Sequence, residues 1–285
     1  MIVTALLGFP TDHSMSPVLF QIYASAHKIE YSHIKLNIEA SDLKSVIKCL
    51  PKLGFSGVNI TLPYKMDVIP FLDNLSPEIH DIGAVNTITI VDKKLTGYNT
   101  DMYGAIRTIE EALNREMSSQ DTVVIFGTGG ASRALIVGAL RKAAGVTVIY
   151  REPDSLKTVS LKNDFQSKVT FVPVKLAVDV RNTLNSATII CNATSVGMTP
   201  VIEASPLSAL QFDQIENVEN KLFFDVIFNP SKTTFLSLAE SSGARIAGGI
   251  NMMVYQGVKA FELWTGKQVS QESIDEAKKT LVKLL

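Results

Sequence analysis

The chain has 285 residues, enough for about two domains at roughly 150 residues each, and it carries 27 Lys and Arg against 28 Asp and Glu. The net charge of −1 argues against a basic surface for nucleic-acid phosphates, so no nucleic-acid partner is expected. Hydrophobic residues make up 46% of the chain, which argues against intrinsic disorder.

Three further features limit the class of protein. The longest uncharged stretch, 182–202, is rich in Asn, Thr and Ser, so no membrane span is expected. The apolar start lacks a basic segment and is followed at once by Asp12 and His13, which argues against a signal peptide. Cys49 and Cys191 lie far apart, as suits a reducing cytoplasm, and the histidines show no zinc-ligand spacing, so no metal is expected.

In the first hundred residues, short β-rich runs alternate with helical patterns. This alternation predicts βαβ units and a mainly parallel sheet, with Ser41 as the N-cap of the second helix. The predicted strands are 2–8, 31–38, 55–61 and a hairpin of 87–91 with 95–98, and the predicted helices are 16–26 and 41–50.

Polar side chains follow the ends of several of these strands. Lys65 ends the segment Asn59-Ile-Thr-Leu-Pro-Tyr-Lys65, and Asp101 ends the segment Gly97-Tyr-Asn-Thr-Asp101. The segment Gly83-Ala-Val-Asn-Thr87 adds the side-chain amide of Asn86. Ligands of open α/β sheets collect outside the carboxyl ends of strands. A lysine and an aspartate brought together there could carry a proton to or from a hydroxyl. From spacing alone, a solvated surface lysine is the alternative.

A glycine-rich turn opens the second half of the chain. The β-branched run 122–126 predicts a fully buried strand, Gly127-Thr-Gly-Gly-Ala-Ser-Arg133 follows it, and a helical pattern comes next. This order is typical of a turn that holds the pyrophosphate of a dinucleotide at a helix N-terminus. The strict glycine pattern fails at Ser132, so a glycine-lined turn without a ligand is the alternative. Further strands are predicted at 146–150, 187–191 and 222–227.

The residues after the second strand of this half bear on the choice of cofactor. An arginine at this place meets the 2′-phosphate of NADP, whereas an acidic residue binds the ribose of NAD. Arg151 therefore favours NADP, while Glu152 and Asp154 would repel a phosphate if they pointed inward. A solvated turn is the alternative for all three charges.

Together these motifs resemble the shikimate dehydrogenase family, including its quinate/shikimate dehydrogenase branch. The resemblance covers nearly the whole chain in the family's order. Its eight motifs are His13-Ser-Met-Ser-Pro17, Asn59–Lys65, Gly83–Thr87, Gly97–Asp101, Gly127–Arg133, Asn192-Ala-Thr-Ser-Val-Gly-Met198, Asp225-Val-Ile-Phe-Asn-Pro230 and Met253-Val-Tyr-Gln-Gly257.

The resemblance implies an α/β enzyme that reduces 3-dehydroshikimate to shikimate with NADPH, on the way to chorismate and aromatic amino acids. It implies an N-terminal α/β substrate domain, 1–102 completed by 250–285, and a Rossmann-like NADP-binding domain, 103–249, with a cleft between them. The expected protein is a cytoplasmic monomer or homodimer, with shikimate as its small-molecule partner and no membrane partner.

The resemblance also assigns roles to individual residues. Lys65 and Asp101 are the catalytic pair. The substrate residues are Ser14 and Ser16 at the carboxylate, and Asn59, Thr61, Asn86, Phe228 and Gln256. The cofactor residues are Gly127, Gly129, Gly130 and Ala131 at the phosphates, Arg151 at the adenosine phosphate, and Thr194, Ser195, Val226 and Gly249 near the ribose and nicotinamide.

Three departures from the family pattern keep other functions open. Phe228 stands where the family usually has a tyrosine whose hydroxyl holds substrate, and Leu19-Phe20 stands where His-Asn is common. Tyr150-Arg151-Glu152 replaces the Asn-Arg-Thr typical of members that use NADP. The alternatives are a quinate/shikimate dehydrogenase that uses NAD and a non-catalytic dinucleotide-binding regulator on the same fold. The regulator would need neither Lys65 nor Asp101.

Overall fold

The chain forms two six-stranded sheets, each with helices around it, in a computed structural model that describes residues 1–285. Residues 1–103 and 254–284 make one compact unit, and residues 104–253 make the other. None of the helices combines the length and apolar composition that a membrane crossing requires.

The first unit is built on a mixed sheet in the order β2-β1-β3-β5-β6-β4. β1 pairs in parallel with β2 and β3, whereas β5 is antiparallel to both β3 and β6. The strands are β1 (Ile2–Gly8), β2 (Tyr31–Asn37), β3 (Gly57–Ile60), β4 (Asn74–Leu75), β5 (Thr87–Val91) and β6 (Lys94–Tyr98), and the helices are α1 (Ser16–Ala26), α2 (Leu43–Cys49), α3 (Pro77–Ile82), the start of α4 (Asp101–Leu113), most of α10 (Gly249–Thr265) and α11 (Gln271–Leu284).

The predicted strands and the hairpin of this unit are confirmed, but the predicted N-cap of α2 is wrong. Ser41 lies inside a short 3₁₀ turn, Ala40–Asp42, and α2 begins only at Leu43. Asp42 is the residue before the helix, and its side chain makes no capping hydrogen bond. The 3₁₀ turn satisfies the first N–H groups with backbone carbonyls, as when Leu43 donates to Ala40, so no side-chain cap is needed.

The second unit has an all-parallel sheet in the order β12-β11-β10-β7-β8-β9. Counted from β7, this is the doubly wound order 3-2-1-4-5-6 of dinucleotide-binding folds. The strands are β7 (Thr122–Phe126), β8 (Gly145–Tyr150), β9 (Thr170–Pro173), β10 (Ile189–Asn192), β11 (Leu222–Asp225) and β12 (Arg245–Ala247), and the helices are α5 (Gly130–Arg141), α6 (Leu156–Phe165), α7 (Ala177–Ser186), α8 (Ala209–Phe212) and α9 (Thr234–Ser241).

Burial explains why the second sheet could be predicted from continuous apolar runs. Val124 on β7, Ile190 on β10 and Phe223 on β11 are all fully buried in one core cluster. Helices cover both faces of a parallel sheet, so both sets of alternating side chains must be apolar. β11 ends at Asp225, two residues before the predicted end, where the amide of Ile227 donates to the Asp225 side chain in place of a neighbouring strand.

The indole of Trp264 on α10 packs on β3 and gives a first testable prediction. Its Nε1 donates to the carbonyl of Ile88 at 2.9 Å, and a Cβ added at Gly57 would lie 2.1 Å from that nitrogen. Gly57→Ala is therefore expected to lower the free energy of unfolding by about 1–3 kcal/mol, measured by urea denaturation. Gly145→Ala is the control, with its nearest neighbour at 4.0 Å. Equal stability of the two variants would contradict this packing.

Candidate active site

Lys65 and Asp101 form an ion pair in the first unit. The Nζ of Lys65 donates to Oδ2 of Asp101 at 2.6 Å, and the two side chains are only 17% and 7% exposed. Lys65 follows β3 after a short turn, and Asp101 is the first residue of α4, which begins shortly after β6 ends at Tyr98. The helix dipole at this N-terminus favours a negative carboxylate. The alternative of a solvated surface lysine is wrong for Lys65.

Backbone hydrogen bonds fix the two halves of the pair against each other. The amide of Val85 donates to the carbonyl of Lys65 at 2.7 Å, which attaches the lysine turn to the segment before β5. The amide of Asn86 donates to the carbonyl of Tyr98 at 3.1 Å, which attaches that segment to the end of β6. The separation of the two charged groups is therefore set by the sheet.

Asn86 connects the pair to the surrounding polar groups. Its Nδ2 donates to Oδ1 of Asp101 and to Oγ1 of Thr100, both at 2.9 Å, and its Oδ1 accepts from the amide of Thr100 at 2.7 Å. Gln256 on α10 lies at the edge of this network, with its Oε1 3.3 Å from the hydroxyl of Thr100. Asp101 thus has one oxygen on the lysine and one on a buried amide.

Asn59 lies beneath this network on β3. It is buried, and its Nδ2 donates to the carbonyl of Asn86 at 3.2 Å and to Oγ1 of Thr87 at 3.0 Å. The β3–β5 register places Asn59 directly opposite Thr87. Asn59 therefore supports Asn86 from below through contacts within the protein.

The sequence reasoning missed Thr87 and Thr100. Both are buried, and their hydroxyls lie 3.2 Å apart between Asn59 and Asn86. The only available signal was their membership in the two quoted motifs, since a threonine in a strand is ordinarily explained by β propensity.

Three further predicted substrate residues, Ser14, Ser16 and Thr61, follow two adjacent parallel strands. The hydroxyls of Ser14, in the turn before α1, and Ser16, the first residue of α1, lie 3.0 Å apart, and the amide of Ser16 donates to Oγ of Ser14 at 3.2 Å. Thr61 follows β3, and its amide donates to the carbonyl of Leu7 on β1 at 2.9 Å. Because β1 and β3 are parallel neighbours, the segments that carry these residues leave the sheet at the same end as the segment that carries Lys65.

The second unit presents the glycine turn at its topological switch point. Gly127 has φ +113°, which an L side chain rarely adopts, and a Cβ there would lie 3.0 Å from the carbonyl oxygen of Ala193 after β10. A Cβ at Gly129 would meet nothing within 4 Å, and no side chain caps α5, which starts at Gly130. The turn after β7 therefore leaves an open cradle at a helix N-terminus, which fits a pyrophosphate. Ala131 follows in the first turn of α5.

Ser132 explains how the turn tolerates the loss of its third glycine. Its side chain is fully buried, and its Oγ donates to the carbonyl of Gly127 at 2.8 Å. The third glycine of the usual pattern allows close packing of helix on strand. A small hydroxyl that bonds to the turn itself fills the same place.

Arg151 lies on an exposed turn after β8. Its guanidinium donates to Glu152 at 2.9 Å, and both side chains are mostly exposed. A depression of about 470 Å³ lies beside this pair. It is lined by Arg151, Glu152, Pro153, Asp154, Ser155 and Lys175.

Thr194, Ser195 and Val226 lie in the turns that follow β10 and β11. The hydroxyl of Thr194 donates to Oδ1 of Asn192 at 2.7 Å, and the amide of Val226 donates to the carbonyl of Asn192 at 3.1 Å. A Cβ at Gly249 would lie 2.4 Å from the carbonyl oxygens of Val226 and Ile227. Gly249 thus allows α10 to begin close against the end of β11.

Phe228 comes three residues after the end of β11 and is half-buried. The ring carries no polar atom, so it makes no hydrogen bond that could replace the family's usual hydroxyl. Its predicted role at the substrate stays a prediction.

Comparisons with known proteins agree with these features. Family models match residues 6–88, described as the shikimate dehydrogenase substrate binding domain, and residues 249–277, described as the shikimate 5'-dehydrogenase C-terminal domain. The shikimate dehydrogenase (NADP(+)) of Geobacillus kaustophilus is 36% identical over 267 residues, which cover 93% of this chain and 93% of that protein.

Two solved structures extend the likeness to the whole fold. Shikimate 5-dehydrogenase from Thermus thermophilus, in complex with NADP(H) and shikimate, is 30% identical with a TM-score of 0.85, covering 99% of this chain and 100% of that one. Quinate dehydrogenase from Corynebacterium glutamicum, in complex with NAD, is 26% identical with a TM-score of 0.84, covering 99% of each chain.

The strand orders and the glycine turn define an α/β protein with a Rossmann-type dinucleotide-binding unit. The sequence likeness extends over more than nine-tenths of the chain. The chain belongs to the shikimate dehydrogenase family.

Proposed function

We propose that this protein catalyses the reversible, NADPH-dependent reduction of 3-dehydroshikimate to shikimate, in the pathway to chorismate and aromatic amino acids. The observation that carries the proposal is the enclosed pair of Lys65 and Asp101 at 2.6 Å, in a chain of this family. A binding protein without catalytic activity would have no use for this pair, which argues against the regulator alternative.

Lys65 carries the proton in the proposed reaction. NADPH, when bound, supplies a hydride to the ketone carbon, and Lys65 Nζ gives a proton to the ketone oxygen, which yields the secondary alcohol. In the oxidative direction the neutral amine accepts the hydroxyl proton. Asp101 holds the ammonium in place, and Asn86 orients the carboxylate through its 2.9 Å hydrogen bond.

Hydroxyl and amide groups recognise the substrate in this proposal. Ser14 and Ser16 donate to the carboxylate, and Thr61, Asn86 and Gln256 face the ring hydroxyls, with Asn59 as the support beneath. A site of this kind rejects an analogue that lacks a hydroxyl, because its own polar groups would stay unpaired.

The glycine turn, the start of α5 and the turns after β10 and β11 offer groups that suit NADP. Gly127, Gly129, Gly130 and Ala131 would hold the pyrophosphate at the open N-terminus of α5, and Arg151 the 2′-phosphate. Thr194, Ser195, Val226 and Gly249 would lie near the ribose and nicotinamide.

We also propose a cytoplasmic protein, monomeric or homodimeric. The two cysteines are unpaired, as expected in a reducing compartment.

Initial rates with shikimate and with quinate, each with NAD⁺ and NADP⁺, test the function. We expect the highest kcat/KM for shikimate with NADP⁺. The second candidate, a quinate/shikimate dehydrogenase that uses NAD, is favoured by one observation, the Arg151–Glu152 pair that places an acidic group beside the arginine. A higher kcat/KM with NAD⁺, or with quinate, would replace the proposal with that candidate. No turnover in any combination would support the regulator.

Arg151→Ala is expected to weaken NADP binding about ten- to a hundredfold and to leave NAD nearly unchanged, measured as Kd by calorimetry. The exposed pair with Glu152 is weak, because such surface pairs contribute about 0–1 kcal/mol, so the arginine can turn to a phosphate. Lys157→Ala removes the same charge from the nearby helix α6, outside the lining of the depression, and serves as control. Equal losses for both cofactors would contradict a 2′-phosphate contact.

Phe228→Tyr is expected to lower the KM for shikimate several-fold, with a smaller change in the KM for NADP. The added hydroxyl would restore a hydrogen bond to a charged carboxylate, which contributes roughly 1.5–3 kcal/mol. Phe228→Leu, which adds no hydroxyl, is the matched control. An unchanged shikimate KM in the tyrosine variant would mean that the ring only packs, and that Ser14 and Ser16 hold the carboxylate alone.

A further inference from the structure

Asp225, the last residue of β11, is a carboxylate that the proposed chemistry does not use. Its side chain is fully buried. Oδ1 accepts from the amide of Ile227 at 3.0 Å, and Oδ2 accepts from the hydroxyl of Thr233 at 2.7 Å and from Nδ2 of Asn192 at 3.1 Å. All three donors are neutral, so the carboxylate is held by hydrogen bonds and not by an ion pair.

The three donors belong to three different segments. Ile227 lies in the turn after β11, Asn192 ends β10, and Thr233 is the N-cap of α9. Asn192 extends this hydrogen-bond network into the turn after β10. Its Oδ1 accepts from the amide and the hydroxyl of Thr194, and its Nδ2 also donates to the carbonyl of Val196 at 3.1 Å. One carboxylate thus connects the turns after β10 and β11 with the start of a helix.

Burying a carboxylate among neutral groups costs free energy. Desolvation raises the pKa of Asp225 to about 6 from its ordinary value of 3.8, despite the three hydrogen bonds that favour the charge. No cation lies within hydrogen-bond distance of the carboxylate to offset that cost. The carboxylate is therefore better explained by what it holds in place than by stability.

We propose that Asp225 is a positioning residue that holds the turns after β10 and β11 in their cofactor-binding conformation before NADP arrives. These turns carry Thr194, Ser195 and Val226, so the inference rests on the proposed function. Preorganised turns bind a ligand more tightly because less conformational freedom is lost on binding. Removing the carboxylate should therefore raise the dissociation constant of the cofactor and leave the proton transfer at Lys65 intact.

Asp225→Asn tests this, since the amide keeps the shape but offers one acceptor oxygen in place of two. We expect the Kd of NADP, titrated without substrate, and the KM for NADP to rise about tenfold or more, with kcat at saturating NADP within about threefold of wild type. The control is Thr188→Val, at the opposite end of β10, where the lost hydroxyl lies 3.3 Å from Asp121. It should leave both constants unchanged even if it lowers the melting temperature.

A second pair of variants keeps the test decisive if Asp225→Asn does not fold. Thr233→Val removes one donor to Asp225 and should raise the KM for NADP about threefold, whereas Thr233→Ser keeps the hydroxyl and should restore it. The inference is overturned if Asp225→Asn binds NADP like wild type, if only kcat falls, or if the two Thr233 variants behave alike. Failure of the proposed function would show differently, as a wild-type enzyme that does not oxidise shikimate with NADP⁺.

Discussion

Lys65→Ala is expected to lower kcat for shikimate oxidation by about 10²–10⁴-fold and to change the Michaelis constants little. The reason is that general acid–base catalysis contributes a rate factor of this size, and the lysine acts on the proton that moves in the transition state. Steady-state kinetics with purified protein measure the effect, and NADP titration of the variant shows whether the cofactor site is intact.

Variants of Asp101 and of the surface lysine Lys94 are the comparisons for Lys65→Ala. Asp101→Asn should lower kcat as well, and the double variant should lose little more than Lys65→Ala, because residues that act as a unit are not additive. Lys94→Ala removes a lysine from an exposed pair with Asp73 at 3.6 Å and should leave kcat unchanged. A Lys65 variant with nearly normal kcat would remove the lysine from the mechanism.

The sequence was most informative where a motif coincides with a strand end. Lys65 and Asp101 are 36 residues apart, yet they follow β3 and β6, which both pair with β5, and their charged atoms lie 2.6 Å apart. The motifs predicted which residues to examine, but only the antiparallel β3–β5–β6 arrangement brings Thr87 beside Asn59 and Thr100 beside Asn86. Such contacts depend on register between strands, which hydrophobic periodicity does not specify.

The second unit shows the same limit in another form. Apolar runs predicted the buried strands, and the glycine turn was recognised although Ser132 breaks its pattern. The proposed role of Asp225 was not predictable, because its donor Asn192 lies 33 residues away in the chain and reaches it only when β10 lies beside β11. The N-cap predicted for α2 failed for a local reason, since a 3₁₀ turn replaced the side-chain cap.

The second large effect is expected in the acid stability of the first unit, through His33 on β2. The ring is buried, its Nδ1 lies 2.8 Å from the hydroxyl of Thr4, and it packs against Phe20 at 4.5 Å between ring centres. Burial lowers the pKa of His33 to about 3 from the ordinary 6.5. The neighbouring Tyr31 is neutral at these pH values, since its ordinary pKa of 10 lies well above them and burial raises that pKa further.

A histidine with a depressed pKa in the folded state makes the fold less stable once pH falls below the ordinary pKa of 6.5, although the buried ring itself is still neutral there. Between pH 6.5 and 3 the unfolded chain holds a proton that the folded chain lacks, so acidification costs about 1.4 kcal/mol per pH unit and roughly 4–5 kcal/mol in total. His33→Leu should remove this dependence, and His80→Gln, at an exposed position, should keep it. Urea denaturation at pH 7, 6, 5 and 4.5 measures the slopes.

The pH dependence of stability in wild type must be compared with that in His33→Leu, because Asp225 changes stability in the opposite direction. Its pKa is raised to about 6, so the folded chain takes up a proton first, and acidification from pH 6 toward 3.8 relieves the cost of burying its charge. The wild-type slope is therefore smaller than the effect of His33 alone. Subtracting the His33→Leu curve cancels the contribution of Asp225 and leaves that of the histidine. Parallel curves for wild type and His33→Leu would mean that the imidazole becomes protonated in the folded state without loss of stability.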